Sequence, residues 1–275
     1  MKVRRKKFVL LYSNFSINRL ILSVFTDLNL YSKDPYQTIN RCILSVKNSA
    51  VDNVNELIIN QFPGKAHVFI STYRILNQQD QGDYEDFLNS LNPKGFPPHK
   101  LILKKSCPLI LLRNLNPTEG LCNGTRLICR KVKAYTISVE ITVGLHKGKK
   151  IFLPKIPLQT SDSEKYGIPF KRTQFPVRLR FAMTINKAQG QTLDYVGIYL
   201  REPAFSHGQL YVALSRARTA SAIKVLIVPG TFTDVADEYK TRNVVYHEIL
   251  ELSKQKATKE KGWTIYCYLM ISKRE

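Results

Sequence analysis

Apolar and polar positions follow three rhythms along the chain. From Arg41 the sequence reads CILSV, a short β-branched run of strand character, with Asn48 placed after it as a plausible N-cap. Val51, Val54, Leu57, Ile58 and Phe62 then recur at helical spacing. Pro63-Gly64 ends that helix and HVFIS at residues 67–71 restarts a strand, so residues 41–71 predict one β-α-β unit of a parallel sheet.

A polar connection from Asn77 to Lys100, with NPKGFPPHK at residues 92–100, separates this unit from a stretch whose period is two. Residues 101–156 give five strand candidates, LILKKS, PLILLRN, GTRLICRKV, YTISVEITVG and IFLPKI. The fourth alternates cleanly, with Ile137, Val139, Ile141 and Val143 on one face and Thr136, Ser138, Glu140 and Thr142 on the other. Turn signals at Asn116-Pro117, Asn123-Gly124 and His146-Lys147-Gly148 fall between candidates. Such a series predicts a small barrel of the SH3-like or OB-like kind.

After a second polar connection, Gln159 to Pro169, the α/β rhythm returns with strand candidates at residues 176–185, 193–200 and 222–228 and the helix GQLYVALSRAR at residues 208–218. The economical reading is one α/β sheet, residues 21–98 and 159–232, interrupted by an inserted β-barrel at 99–158. Residues 1–20 form a basic N-terminal segment, and residues 233–275 a tail with a helix from about Val235 to Lys256 and an apolar end, WTIYCYLMI.

Composition adds a partner to this architecture. Lys and Arg number 42 against 21 Asp and Glu, leaving +21 with neutral histidines, and such an excess points to a polyanion, with nucleic acid ahead of an anionic membrane. A transmembrane class is excluded, because the apolar stretch Phe8 to Phe25 is broken by Asn14, Asn18 and Arg19 before it reaches about 18 residues. Cys42, Cys107, Cys122, Cys129 and Cys267 are odd in number and make no C-x-x-C pair, which excludes a disulfide framework and a zinc ribbon and implies a reducing compartment. The histidines lack the spacing of metal ligands on one helix, so no metal site is expected. The opening MKVRRKKFVLLYSNF has too short an apolar patch for secretion; an Arg-rich mitochondrial leader, a basic nucleic-acid arm, a nuclear signal and a solvated charge run all fit it.

Two segments carry candidate chemistry. In FAMTINKAQGQT (181–192) a buried strand runs into a turn where Thr184, Asn186, Lys187, Gln189, Gly190, Gln191 and Thr192 gather hydroxyl, amide and ammonium donors beside a glycine. Ligands bind at the carboxyl ends of strands in α/β sheets, and such donors suit phosphates, although a polar turn that only connects strands reads the same way. In GQLYVALSRAR, helical spacing puts Gln209, Ala213 and Arg216 on one face and Leu210, Leu214 and Ala217 on the adjoining one, so one face packs while the other presents a guanidinium.

In this order, with a barrel inserted before them, these segments resemble the Pif-one-like DNA helicases, and within them the Helitron-type helicases. RCILSVKNSAVDNVN resembles the family's motif IV region, LILLRNLNPTEGLCNGTRLI the start of its small barrel, FAMTINKAQGQT its motif V and QLYVALSRAR its motif VI. The resemblance covers about residues 20–230 and implies an ATP-dependent helicase moving 5′ to 3′ on single-stranded DNA. Such an enzyme has two RecA-like domains with ATP and Mg²⁺ between them, and a nuclear location with the mitochondrion as alternative. It implies that Arg216 reaches the γ-phosphate from across the domain cleft and that Gln189, Gly190 and Gln209 lie on the nucleotide side. Thr184, Asn186 and Lys187 then face the DNA backbone, with Asn48 beside them. Position 186 is frequently His in the family, so Asn186 keeps a hydrogen bond but not a titratable one.

The first RecA-like domain of such helicases carries G-x-x-x-x-G-K-[ST], whose amides cradle phosphates and whose hydroxyl holds Mg²⁺. Nothing in the 275 residues matches it: GLHKGKK at 144–150 has three residues between its glycines and lies on a β-hairpin, and Asp237-Glu238 follows no buried strand. The expectation is the second RecA-like domain and barrel of a helicase, inactive as an ATPase alone, with single-stranded DNA and a separate or upstream first domain as partners and no membrane. A non-catalytic single-strand binder is the alternative.

Overall fold

Five parallel strands form the centre of the computed structural model, which describes residues 9–11, 16–75, 84–93, 95–159 and 169–228. The elements begin with β1 (Val9–Leu11), α1 (Ile17–Val24), α2 (Leu28–Lys33), β2 (Arg41–Ser45), α3 (Asn48–Gln61), β3 (His67–Ile70), β4 (Thr72–Ile75) and α4 (Glu85–Ser90). Next come β5 (Lys100–Leu103), β6 (Pro108–Leu111), β7 (Arg126–Val132), β8 (Thr136–Ile141), β9 (Lys150–Pro154), β10 (Ile156–Gln159) and β11 (Phe170–Gln174). The chain continues through β12 (Val177–Leu179), β13 (Ala182–Thr184), β14 (Tyr195–Leu200), α5 (Gln209–Leu214) and β15 (Ile223–Ile227).

The central sheet has the order β1-β15-β14-β2-β13, parallel throughout. β2, β14 and β15 are covered on both faces, which is why they read as continuous apolar runs. Alternate residues of β2 serve the two sides: Ile43 packs in a cluster with Leu20, Ile21 and Val24 of α1 and Val54 and Ile58 of α3. Cys42 and Leu44 pack in another with Leu210 and Ala213 of α5. Gly197 in β14 lets α1 approach closely, since a Cβ there would stand 2.9 Å from Val24 Cγ2 and 3.1 Å from Ile43 Cγ1. The edge strand β13 is closed by the buried Asn55 of α3. Its Nδ2 donates to Ala182 O at 3.1 Å while its Oδ1 accepts from Ala182 N at 2.9 Å, completing the ladder as a neighbouring strand would.

The β-α-β unit expected at residues 41–71 is not formed. β3 leaves the parallel sheet and pairs antiparallel with β5 in a two-stranded ribbon. Its side chains explain this: Phe69 is buried, while Val68 and Ile70 are about half exposed, so HVFIS is a strand with one buried face. Asn48 is not the N-cap of α3 either. Lys47 occupies that position and Asn48 is the first helical residue.

The inserted unit is a five-stranded antiparallel sheet, β12-β6-β7-β8-β9. Two boundaries of the expected barrel shift. LILKKS contributes β5 to the ribbon with β3 instead, and the run 176–185 splits into β12, which joins the insert, and β13, which joins the parallel sheet. Between them Arg180 is buried with Nη1 donating to Ile39 O at 2.8 Å, which turns the chain from one sheet to the other. The ladder ends at β9 and β12. β9 runs on into β10 and β11 precedes β12, and β10 and β11 pair with each other, with β4 beyond them, so the chain joins both ends of the sheet through a second one. The polar face of β8 is covered too: Glu140 is buried, accepts Arg130 Nε at 2.9 Å and holds the Tyr36 hydroxyl from outside the insert. The helix expected over 235–256, the basic start and the apolar end lie outside the described residues. No helix of the described residues is long and apolar enough to cross a membrane.

Candidate nucleic-acid interface

Strand β13 delivers Thr184 to the carboxyl edge of the parallel sheet, where the chain turns through a 3-10 segment, Ile185–Ala188. Ile185 and Ala188 are fully buried against the sheet, which forces Asn186 and Lys187 outward between them. Gly190 closes the turn at φ +77°, a conformation that L side chains rarely adopt.

Asn48, Thr184, Asn186 and Lys187 line one cleft of about 290 Å³. Freed from a capping role, the Asn48 side chain stands exposed at the head of α3. Asn92, Pro93, Gly95 and Phe96, from the connection before β5, line the same cleft. Asn92 Nδ2 donates to Asp52 Oδ2 at 2.9 Å, and Arg178 of β12 donates to Asn92 Oδ1 at 3.2 Å and to Phe96 O at 3.3 Å while lying 3.6 Å from Asp52 Oδ1. Phe205 completes the rim. Asn92, Phe96, Arg178 and Phe205 escape a reading along the chain, because they reach the cleft from three separate segments. The one available signal was a charged residue inside an apolar strand, PVRLR.

The nucleotide-side candidates fall elsewhere. Gln189 and Gly190 are exposed on the turn, beside the cleft. Gln209 is buried in the first turn of α5, and its Oε1 accepts the Phe205 N–H at 3.1 Å, which holds the loop before the helix. Arg216 does not point clear of the domain. The helix stops at Leu214, two residues before it, and the guanidinium folds back: Nε donates to Val212 O at 2.7 Å, Nη1 to Ala188 O at 3.2 Å and Gln191 O at 3.1 Å, and Nη2 to Ser215 Oγ at 2.8 Å. A cation at a helix C-terminus satisfies carbonyls the helix leaves open.

Beneath the turn two further guanidiniums share one acceptor. Arg126 of β7 donates to Gln191 Oε1 at 2.8 Å and Arg180 to the same oxygen at 3.3 Å, while Gln191 Nε2 donates to Lys187 O at 3.0 Å. Burial pulls the Arg180 guanidinium down to about 10, the neighbouring Cys42 opposing and Arg126 adding to the shift; burial lowers Arg126 as well. The Cys42 thiol is pushed up to about 11, chiefly by burial, so it stays a neutral core group. Among the described residues no cluster of His, Cys, Asp and Glu could hold a metal ion.

The family model for the 2B domain of DNA helicase Pif1 matches residues 86–131, from α4 into β7. The ATP-dependent DNA helicase PIF1 of Xenopus laevis is 30% identical over 176 residues, 64% of this chain and 26% of that protein. The ATP-dependent DNA helicase RRM3 of Saccharomyces cerevisiae is 43% identical over 108 residues, 37% of this chain and 14% of that one. Over these parts of its length the chain is similar to the Pif1-like helicases. Its fold agrees. The Pif1 helicase of Candida albicans superposes with a TM-score of 0.58 at 22% identity, covering 88% of this chain and 58% of that one. Bacteroides Pif1 bound to ssDNA gives 0.56 at 20% identity, covering 79% and 46%. The chain spans about a quarter of the length of the Xenopus and human Pif1 relatives it matches, and that partial coverage fits the C-terminal portion of such helicases.

Proposed function

We propose that these residues form the second RecA-like domain and inserted β-unit of an ATP-dependent 5′-to-3′ DNA helicase, and that their own activity is to bind single-stranded DNA in the cleft at the end of β13. The observation that carries this reading is the convergence of Asn48, Thr184, Asn186 and Lys187 on one depression of a chain whose net charge is +21. A hydroxyl, two amides and an ammonium hydrogen-bond phosphate oxygens without reading sequence, as a translocating track requires. The named relatives and the ssDNA-bound neighbour support it.

ATP and Mg²⁺ do not fit the residues present as a complete site, since the sequence carries no phosphate-loop motif and no metal-holding cluster of His, Cys, Asp and Glu occurs among the described residues. We therefore assign Arg216, with Gln189 and Gly190, a nucleotide role only in trans to a first RecA-like domain. Arg216 also grips the carbonyls of Ala188 and Gln191 on either side of the turn, so whatever draws it away loosens the wall of the cleft. That same grip favours the second reading, a non-catalytic single-strand binder, because it gives Arg216 a structural task within this chain. Single-strand affinity measured against salt tests the common part. Binding should weaken steeply with ionic strength, and replacing Thr184, Asn186 and Lys187 together by Ala should weaken it for all sequences alike and flatten the salt slope by about one unit, for the one lysine lost. Unchanged affinity would place the track elsewhere.

A further inference from the structure

We propose that Phe205 is a stacking platform for one base of the strand that occupies the cleft; this deepens the single-strand reading above and rests on it. Phe205 is 61% exposed, yet it sits on an anchored loop. Its N–H is bound by the buried Gln209, Ala204 beside it is buried, and Gly208 takes φ +67° to start α5, whose Leu210 and Ala213 are packed in the core. The backbone under the ring is therefore fixed while the ring is left in solvent, and no aromatic or cationic group stacks on it among the described residues.

An exposed ring alone is ordinary. What singles this one out is its place on the rim of the cleft that holds Asn48, Asn186 and Lys187. Among the described residues the other strongly exposed rings, Tyr135 between β7 and β8 and Phe152 of β9, line no part of it. The two sides of the cleft then divide the chemistry of a nucleotide. The polar turn takes the phosphate, and Phe205 offers an apolar face to the base. Every base has a π-face, so such a contact adds affinity without sequence choice, as a translocating or sequence-blind binder needs.

The test uses the 275-residue chain with a thymidine oligonucleotide and a wholly abasic strand of equal length. Phe205→Ala should weaken binding to the oligonucleotide by roughly 5- to 150-fold, the span of base–aromatic stacking, with an unchanged salt slope because no charge is lost. It should leave affinity for the abasic strand unaltered. Phe205→Tyr keeps the ring and should retain most of the affinity for thymidine, and equal melting temperatures for both variants exclude a folding defect. If Phe205→Ala binds the oligonucleotide as tightly as the unaltered protein, or loses affinity for both strands equally, the ring does not stack on a base. If the unaltered protein binds no single strand, the reading on which this rests fails first.

Discussion

Arg216 is the residue whose expected role and observed surroundings differ most, and Arg216→Ala measures which of the two governs it. Its guanidinium makes four hydrogen bonds, three of them to backbone carbonyls, at 2.7–3.2 Å. Bonds from a charged donor contribute about 1.5–3 kcal/mol each when fully buried. The side chain is only partly buried, so carbonyls released by truncation regain water, and each bond is discounted to about 0.5–1 kcal/mol. The total is roughly 2–4 kcal/mol. At about 2–4 °C per kcal/mol for a chain of this size, the melting temperature should fall by roughly 5–15 °C. Arg216→Lys should recover little, since one ammonium cannot span Val212, Ala188 and Gln191. Thermal unfolding followed by circular dichroism gives the magnitude, and hydrogen exchange at the amides of residues 188–193 gives the place, where protection should drop ahead of the rest of the sheet. A melting temperature within about 1 °C of the unaltered protein, with those amides equally protected, would mean that the bonds contribute nothing and that the guanidinium is free to serve another domain.

Three other outcomes are expected. Pure protein of residues 1–275 should show no DNA-stimulated ATP hydrolysis, whereas fusion behind a first RecA-like domain should restore it, and Arg216→Ala should then lower turnover by about 10³- to 10⁵-fold; a fusion indifferent to Arg216 removes the trans assignment. Gly197→Val should cost about 1–3 kcal/mol of stability, seen as a lower urea midpoint, because the added carbon meets Val24 at 2.9 Å; an unmoved midpoint means that α1 yields freely. Burial pushes the Glu140 carboxyl up, but Arg130 and the Tyr36 hydroxyl outweigh it and hold the carboxyl below the ordinary carboxylate range. A depressed acid contributes stability that is complete above its unfolded-chain value and is lost as pH falls through the lower folded one, so urea midpoints should drop across that acid window and Glu140→Gln should flatten the drop.

The sequence was most legible where burial is two-sided and local. β2, β14 and β15 read as apolar runs because both faces of the parallel sheet are covered, and α3 as a helix because Val51, Val54 and Ile58 repeat on one side. It was least legible where pairing is chosen by distant chain. HVFIS and LILKKS have the residues of strands, but nothing in either says that His67 will stand opposite Leu103. The run 176–185 hides a change of sheet, because the residue that makes the turn, Arg180, finds its partners at Ile39 and Gln191. The site divided in the same way. Thr184, Asn186 and Lys187 announce themselves as donors at a strand end, whereas Phe205 and Asn92, 113 positions apart in sequence, acquire meaning only when the fold brings them to one cleft.

Gln191 ties the inserted sheet to the turn that carries Lys187. Its side-chain oxygen is the shared acceptor of Arg126, from the insert, and of Arg180, from the junction between the sheets; its amide nitrogen binds the carbonyl of Lys187 in the cleft; its backbone oxygen binds Arg216. Two guanidiniums converging on one neutral oxygen repel each other, and the buried one already holds its charge less readily than a free arginine. Such an arrangement is stable only while the oxygen stays between them. A shift of the insert that carries Arg126 away therefore relieves the repulsion but removes one restraint from Gln191, and with it from the turn that presents Lys187. Coupling of this kind needs a discrete contact that both sides can bias, and the Arg126–Gln191 bond supplies one between β7 and the turn that carries Lys187.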